Sequence, residues 1–590
     1  MDGLWKTWGV LGAFAALGGC DGGSSGSGPS AATLGGLTSA GSTGSDTSGS
    51  GATSADSQSG NTDPTSPSAG SGSSGDGCLC EPGEAVGCIG DAREICDDDC
   101  LGTHEEACTV PTECVGGTCE LVGCTPGSTQ CAGDGSGVQT CDGFAEWGPG
   151  VSCAETEGCY AGACVSLCEL SAATPSSQGC SFRANNMQTY SAYNAPSALV
   201  VGNTSATLTA QLQLYLIQGG AEVAQGAPVA LPPNSTQTFT LTQAKLGTGT
   251  VLRQGGSYRL ESDVPVIAYQ HSPVGAQADN DASMILPDNA AGDEFLVSSY
   301  TPNIGGDPSY FDVIALEDGT TVQWTPPVAT PAGTGVAAVA AGATGTVTMN
   351  NGDTLQVAVY ADLTGTRVTA DKPIWVVGAM SCVQVPTGVI ACDHLEEQQI
   401  PLEYWGNTYV AAHAPQRGNE TFYWRVFGGD DGVMVTTDPV LPGFPTTLAD
   451  GEWFEFTSTG SFVMTGDGPF MPVQYLESQN GGAGTGDPAM VQMVPVEQFL
   501  DRYAFVTGTG YNVHYVQITR EAGAADVFVD GTMVTGYYAV GEYEVADWQI
   551  SEGSHFASSD DAFGIVGVGY TGYTSYAYPG GLELEVINPG

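Results

Sequence analysis

Two short stretches of this sequence bring oxygen and nitrogen donors close enough together for chemistry. In one, Asp393, His394, Glu396 and Glu397 follow directly on Cys392. Carboxylates beside an imidazole are the donors of a metal site or an acid–base pair. On a strand, however, neighbouring side chains point to opposite faces, so His394 reads better as a junction residue hydrogen-bonded to backbone. In the other stretch, Asp279-Asn280-Asp281, with Asp288 and Asp293 nearby, Asp279 and Asp281 offer the hard oxygen ligands that calcium takes. The spacing is not that of an EF-hand, because the glycine at the sixth position and the glutamate at the twelfth are missing. Calcium is the one cofactor these residues suggest. The six histidines, His104, His271, His394, His413, His514 and His555, are scattered. The Gly-x-Ser-x-Gly matches near the N-terminus lack a strand-turn-helix context. No catalytic residue is assigned, and a non-enzyme is expected.

The positioning of these residues depends on cross-links and on repeats. Cys382 and Cys392 flank Pro386-Thr387-Gly388, which lets the chain double back, and a loop-closing disulfide is expected there. A denser set runs from Cys78 to Cys180. Cys80, Cys88, Cys96, Cys108, Cys114 and Cys119 form one unit; Cys124, Cys131, Cys141, Cys153, Cys159 and Cys164 form a second, with the same last three gaps of 11, 5 and 4 residues. Such units read as a disulfide-stapled scaffold in an oxidising compartment rather than as zinc sites, which favour close Cys-x-x-Cys pairs. Six cysteines allow fifteen pairings, so connectivity stays open. Cys78, Cys100, Cys168 and Cys180 fall outside the pattern and are expected to pair among themselves.

Beyond residue 180 two signals recur about every hundred residues, which marks the unit as a small domain. The first is Pro287, Gly292, Asp293, Phe295; then Pro401, Gly406, Asn407, Tyr409; then Pro495, Asp501, Tyr503, with Leu500 in the glycine's place. The second is Ser262-Asp263-Val264-Pro265, Ala370-Asp371-Lys372-Pro373, Gly466-Asp467-Gly468-Pro469 and the degraded Ser559-Asp560-Asp561-Ala562. Apolar alternation of period two, bounded by turn formers, gives short strands. Asp318-Gly319, Asp431-Gly432 and Asp530-Gly531 read as tight type I′ hairpins. The fold class is mainly β: tandem antiparallel β-sandwich-like modules at 181–286, 287–400, 401–494 and 495–590, with a propeller-like ring of the repeats as the alternative.

The N-terminal part reads as an address. Residues 1–20 have a short polar start, an apolar run and Leu17-Gly18-Gly19-Cys20, the outline of a lipoprotein-type signal peptide with Cys20 as the lipidated residue. Residues 21–77, almost entirely Gly, Ser, Thr, Ala, Asp and Pro, read as a disordered tether. The cysteine-rich repeats at 78–180 follow. Sixty-five acidic against 12 basic residues, net −53, would repel a phosphate backbone, so no nucleic-acid partner is expected. Asn203, Asn234 and Asn419 begin glycosylation sequons. Tyr570, Tyr573, Tyr576 and Tyr578 are either sugar-stacking residues or buried cross-strand pairs.

Ser262 to Tyr269, Ala315 to Val322, Asp362 to Ile374, and above all the block from Cys392-Asp393-His394 to Trp405-Gly406, resemble the IgGFc-binding protein N-terminal domain family, over roughly residues 190–585. The resemblance implies an extracellular, non-enzymatic binding or adhesion role. The signal and tether resemble those of myxobacterial surface lipoproteins, which implies an outer-membrane-anchored location, or secretion. The expected partner is an extracellular protein or glycan, with membrane contact through the lipid anchor alone. A structural envelope protein and a secreted hydrolase are the alternatives.

Overall fold

The computed structural model describes residues 80–588 apart from 90–91, 100, 109–111, 122, 191–194, 274 and 276–278. Cys20, Cys78, Cys100 and the tether lie outside the described residues. Among those described, no helix is long and apolar enough to cross a membrane.

The cysteine-rich part consists of short, largely exposed hairpins with little apolar surface to bury, so cross-links hold it. Its bonds are Cys80–Cys96, Cys88–Cys114 and Cys108–Cys119, then Cys124–Cys141, Cys131–Cys159 and Cys153–Cys164. Both units therefore join their first cysteine to the third, the second to the fifth and the fourth to the sixth. A short helix, Leu167–Ala173, follows, opened by a capping box in which Ser166 and Glu169 satisfy each other's amides. Cys168–Cys180 ties that helix to the first strand of the β region.

The fold beyond is mainly β, built as tandem antiparallel sandwiches. The third module shows the plan most simply. One sheet runs Thr408–Ala411, Phe462–Gly466, Val433–Asp438, Thr446–Leu448; the other runs Trp453–Ser458, Phe422–Gly428, Phe470–Tyr475, Met490–Gln492. In the other modules the two central pieces are one long strand that passes from the first sheet into the second: Tyr258–Ser272, Arg367–Val383 and Ser554–Thr571. The recurring Asp-x-Pro mark, or its degraded form, sits at each crossing. Proline has no amide to give the ladder, and the aspartate takes an amide from the neighbouring strand instead. Asp263 accepts from Gln211 N, Asp371 from Thr321 N and Asp467 from Met434 N, each at 2.7 Å, and Asp561 accepts from Ala525 N at 2.8 Å. In the third module, Gly466 and Gly468 break the strand outright.

The other recurring mark joins one module to the next. Pro287, Pro401 and Pro495 each precede a single 3-10 turn, Asp288–Ala290, Leu402–Tyr404 and Val496–Gln498. Each proline packs on a glycine of the preceding repeat. A Cβ at Gly179 would lie 2.3 Å from Pro287 Cβ, one at Gly292 2.6 Å from Pro401 Cβ, and one at Gly406 2.4 Å from Pro495 Cβ.

The modules also pack on one another, the first against the fourth as well as against the second, as Gly202 beside Val506 shows. Strand Val251–Gly256 of the first module pairs with Asp353–Val359 of the second. The last strands of the modules, Asp281–Ile285, Asp393–Gln398, Met490–Gln492 and Thr574–Pro579, meet at the axis. There Asp281 accepts from Glu396 N at 3.3 Å and Met490 N at 3.0 Å, Thr574 Oγ1 donates to Asn280 O at 3.3 Å, and Tyr269 Oη donates to Gly580 O at 3.0 Å. One apolar core runs unbroken from Val200 to Leu584.

Two local expectations change. Only Asp530-Gly531 is a hairpin, with positive φ at both positions (51° and 73°); the strands on either side of 318–319 and of 431–432 do not pair with each other, and there the glycine alone has positive φ. Tyr570, Tyr576 and Tyr578 are buried, with Tyr576 and Tyr578 stacked at 5.3 Å, which leaves only Tyr573 exposed enough to meet a sugar.

Candidate functional site

The acidic residues read from the sequence divide: Asp288 pairs with Arg183 and Asp293 is exposed, while the rest are interior. Asp279, Asp281, Asp393, His394, Glu396 and Glu397 are all buried. Asp281 is held by main-chain amides, including its own neighbour Ala282 N at 2.9 Å; Asp393 Oδ1 accepts from Asn280 N and from His394 N. Asp279 accepts from Tyr190 N at 2.7 Å. Burial pushes the carboxyls of Asp281, Asp393 and Glu397 well above their ordinary range, and the neighbouring carboxylates add to the effect. Among the described residues, no group of three or more His, Cys, Asp or Glu is arranged to hold a metal ion.

His394 departs from its expected role. Its ring makes no hydrogen bond to backbone; Nε2 lies 3.5 Å from Glu396 Oε2, since both faces of this axial strand are covered and His394 and Glu396 share one of them. Trp405 Nε1 donates to Ile400 O at 2.9 Å, and Gly406 N donates to Tyr409 Oη at 3.1 Å, so these two motif residues shape the turn between modules. Cys382–Cys392 closes the loop before the axial strand.

A surface cleft lies elsewhere, at the seam where the first and last modules meet. It encloses roughly 320 Å³. Its floor is Ile267 from the long strand of the first module and Phe505, Val506 and Phe556 from the fourth. Gly202 lets the modules close here: a Cβ would stand 3.0 Å from both Ile267 and Val506. The wall is the Asp530-Gly531 hairpin tip with His555 behind it. Asp530 Oδ1 accepts from Phe556 N at 2.9 Å, Asp530 Oδ2 lies 2.6 Å from His555 Nδ1, and His555 Nε2 donates to Ser551 O at 2.9 Å. With one nitrogen on a carboxylate and the other on a carbonyl, the imidazole has none free to take a proton from a substrate. Ser554, adjacent on the strand, also lines the cleft. The arrangement can hold a ligand: an apolar floor beside one half-exposed carboxylate.

The sequence contained His555 and the Asp530-Gly531 turn as separate marks, but nothing in it placed them against residues 202 and 267. That neighbourhood exists only because the array closes. Of the sequons, Asn203 is buried here, its amide nitrogen donating to Leu208 O, Leu231 O and Pro232 O; Asn234 is exposed on the rim.

Two comparisons bear on this architecture. The human IgGFc-binding protein is 34% identical over 107 residues, 16% of this chain; the chain spans 2% of that protein's length. The model of the family described as IgGFc binding protein matches residues 281–569, from the axial strand of the first module to the long strand of the fourth. The resemblance carried by the Asp393-His394 to Trp405-Gly406 block is therefore borne out: residues 281–569 match the IgGFc binding protein family.

Proposed function

We propose that this chain is an exported binding protein whose closed ring of sandwiches takes an extracellular protein partner at the seam between the first and fourth modules. The observation that carries the reading is the cleft itself. Its volume suits one or two anchoring side chains of a partner rather than a large cofactor, and buried apolar anchors dominate the energy of protein recognition. The half-exposed Asp530 at its wall, in a chain of net charge −53, favours a partner with a basic rim. The family match supports a binding role in place of a catalytic one. Cys20 is proposed as the lipid attachment point, residues 21–77 as the tether and 78–180 as a disulfide-stapled stalk. Cys78 and Cys100, left over once Cys168 and Cys180 are joined, are proposed to pair. Display on a flexible anchor raises effective concentration, which suits adhesion through weak contacts.

The experiment is an array of extracellular proteins, immunoglobulin G Fc among them, and of glycans, probed with the purified chain with and without EDTA. Saturable binding to a protein, weakened at least tenfold by Phe505→Asp, is the expected result. Binding to glycans alone, or turnover of any substrate, would overturn the proposal. The EDTA arm tests calcium at Asp279 and Asp281.

A further inference from the structure

The sheet of the fourth module ends on an open edge beside the seam cleft. From that edge inward the strands are Thr532–Met533, Phe528–Val529 and Ser554–Thr571. Among the described residues, Thr532–Met533 pairs with Phe528–Val529 alone. The turn joining these two short strands is Asp530-Gly531, the wall of the cleft, so the edge begins where the cleft stops. The register fixes its hydrogen bonding. Val529 faces Thr532, Phe528 faces Met533, and Val534 N donates to Val527 O at 2.9 Å. Bonded and non-bonded pairs alternate along an antiparallel ladder, which makes Phe528 and Met533 a non-bonded pair. The amide and carbonyl of Met533 therefore point outward, to the side where no described strand lies. The side chains divide by face: Val527, Val529 and Val534 are buried, while Phe528 and Met533, directly opposite each other, are 40% and 46% exposed. Proteins ordinarily blunt a free apolar edge with lysine or proline. Residues 526–536 contain neither, and their only charges are Asp526 and Asp530, with side chains 61% and 48% exposed.

We propose that the partner taken at the seam adds a strand to this edge: an extended, basic segment whose backbone pairs with Met533 and whose apolar end enters the cleft. Strand addition presupposes that the seam is the binding site and specifies how that site recognises a protein. Main-chain bonds to Met533 set the register, and Phe528 and Met533 cover one face of the added strand. The floor of Ile267, Phe505 and Val506 takes the anchor. Basic residues flanking the anchor meet Asp526 and Asp530. A second copy of this chain is disfavoured as the occupant, because two chains each of net charge −53 repel.

The test is fluorescence anisotropy with the whole purified chain at physiological salt. The probe is a short labelled peptide in which lysine alternates with valine and phenylalanine closes the sequence. A second peptide of the same sequence is N-methylated at every residue, which removes its amide donors and leaves its charge unchanged. Saturable binding of the first peptide, at least tenfold weaker for the second, is expected. Met533→Pro removes the outward amide and no bond inside the hairpin, so it should weaken binding at least tenfold with melting unchanged. Met533→Ala keeps the amide and should retain most of the affinity, whereas Phe505→Asp should lose it. Should Met533→Pro disturb melting, the two peptides decide alone. Failure of the first peptide to bind, equal binding of both, or a Met533→Pro chain within twofold of wild type would overturn strand addition. The seam itself still stands in those cases if the protein array yields a partner that Phe505→Asp releases; an array without such a partner removes both. Self-association that Met533→Pro abolishes would assign the edge to a second copy and likewise overturn the proposal.

Discussion

Arg425 is the residue whose removal should cost the ring most. It is 1% exposed, rises from Phe422–Gly428 of the third module, and reaches into the second. Its Nη1 donates to Ser299 O at 2.9 Å and Thr364 Oγ1 at 2.6 Å, and lies 3.1 Å from Asp362 Oδ2. Nε and Nη2 both face Glu455 at 3.0 Å, and the guanidinium sits 4.3 Å from the Tyr300 ring and 4.2 Å from that of Trp453. Arg425→Met leaves Asp362, 16% exposed, without its cation and with only the Thr301 hydroxyl and Thr364 amide, and leaves the Ser299 carbonyl with only the Tyr475 hydroxyl. Breaking a buried pair in this way costs ~3–5 kcal/mol, and the lost ring contacts ~1–2 kcal/mol. Glu455, at 40% exposed, regains water and contributes little. These terms overlap, so the expected loss is about 4 kcal/mol. Arg425→Lys keeps the charge but not the planar fork, and about half that loss is expected. Native-state hydrogen exchange on a peptide covering Phe422–Gly428 is the suitable assay, because a chain of several modules need not unfold in two states. Protection falling less than tenfold in Arg425→Met, about 1.4 kcal/mol, would refute the claim that this side chain locks the second module to the third.

Four further outcomes are expected. Gly406→Ala forces a Cβ to 2.4 Å from Pro495 Cβ and 2.7 Å from Glu497 Oε2, and should lower the unfolding free energy by ~1–3 kcal/mol without altering secondary structure; calorimetry would show it. Cys382→Ser with Cys392→Ser opens a loop of sequence separation 10 and should cost ~2–3 kcal/mol in denaturant titration. Asp312 is buried with Asn185 Nδ2 at 2.6 Å, and burial raises its pKa from the usual range to about 7. The folded state therefore holds a proton that the unfolded state releases, and stability present below pH ~4 falls as pH rises towards 7, by about 4 kcal/mol if this group acted alone. Asp312→Asn should flatten that decline in denaturation measured across the interval, and an unchanged slope would count against it. Cys20→Ser should move the exported chain from the detergent phase to the aqueous phase on Triton X-114 partition; a wild type that is aqueous from the start would exclude the anchor.

What could be read from the sequence is what repeats. The cysteine spacing marked two equal units because equal gaps reflect equal local geometry, yet it left connectivity open, which only the paths of the hairpins decide. The prolines at 287, 401 and 495 and the aspartates at 263, 371 and 467 revealed module period and β character. Their reasons were three-dimensional: each proline needs a glycine of the previous repeat beneath it, and each aspartate replaces a ladder contact where a strand changes sheets.

The acidic block was the most specific sequence signal and its chemistry the most easily misjudged. Alternation on a strand separates faces, and from that rule one face of Asp393–Gln398 ought to meet solvent. At the centre of a closed ring neither face does, so Asp393, His394, Glu396 and Glu397 are all interior, and the block serves to join axial strands. Closure also creates the cleft, by bringing residue 202 to residue 506 across some three hundred positions of chain. Local propensity carries no information about a contact of that range. A cleft that depends on closure should vanish when the ring opens, so any variant that loosens the axis should weaken binding at the seam before the sandwiches themselves unfold.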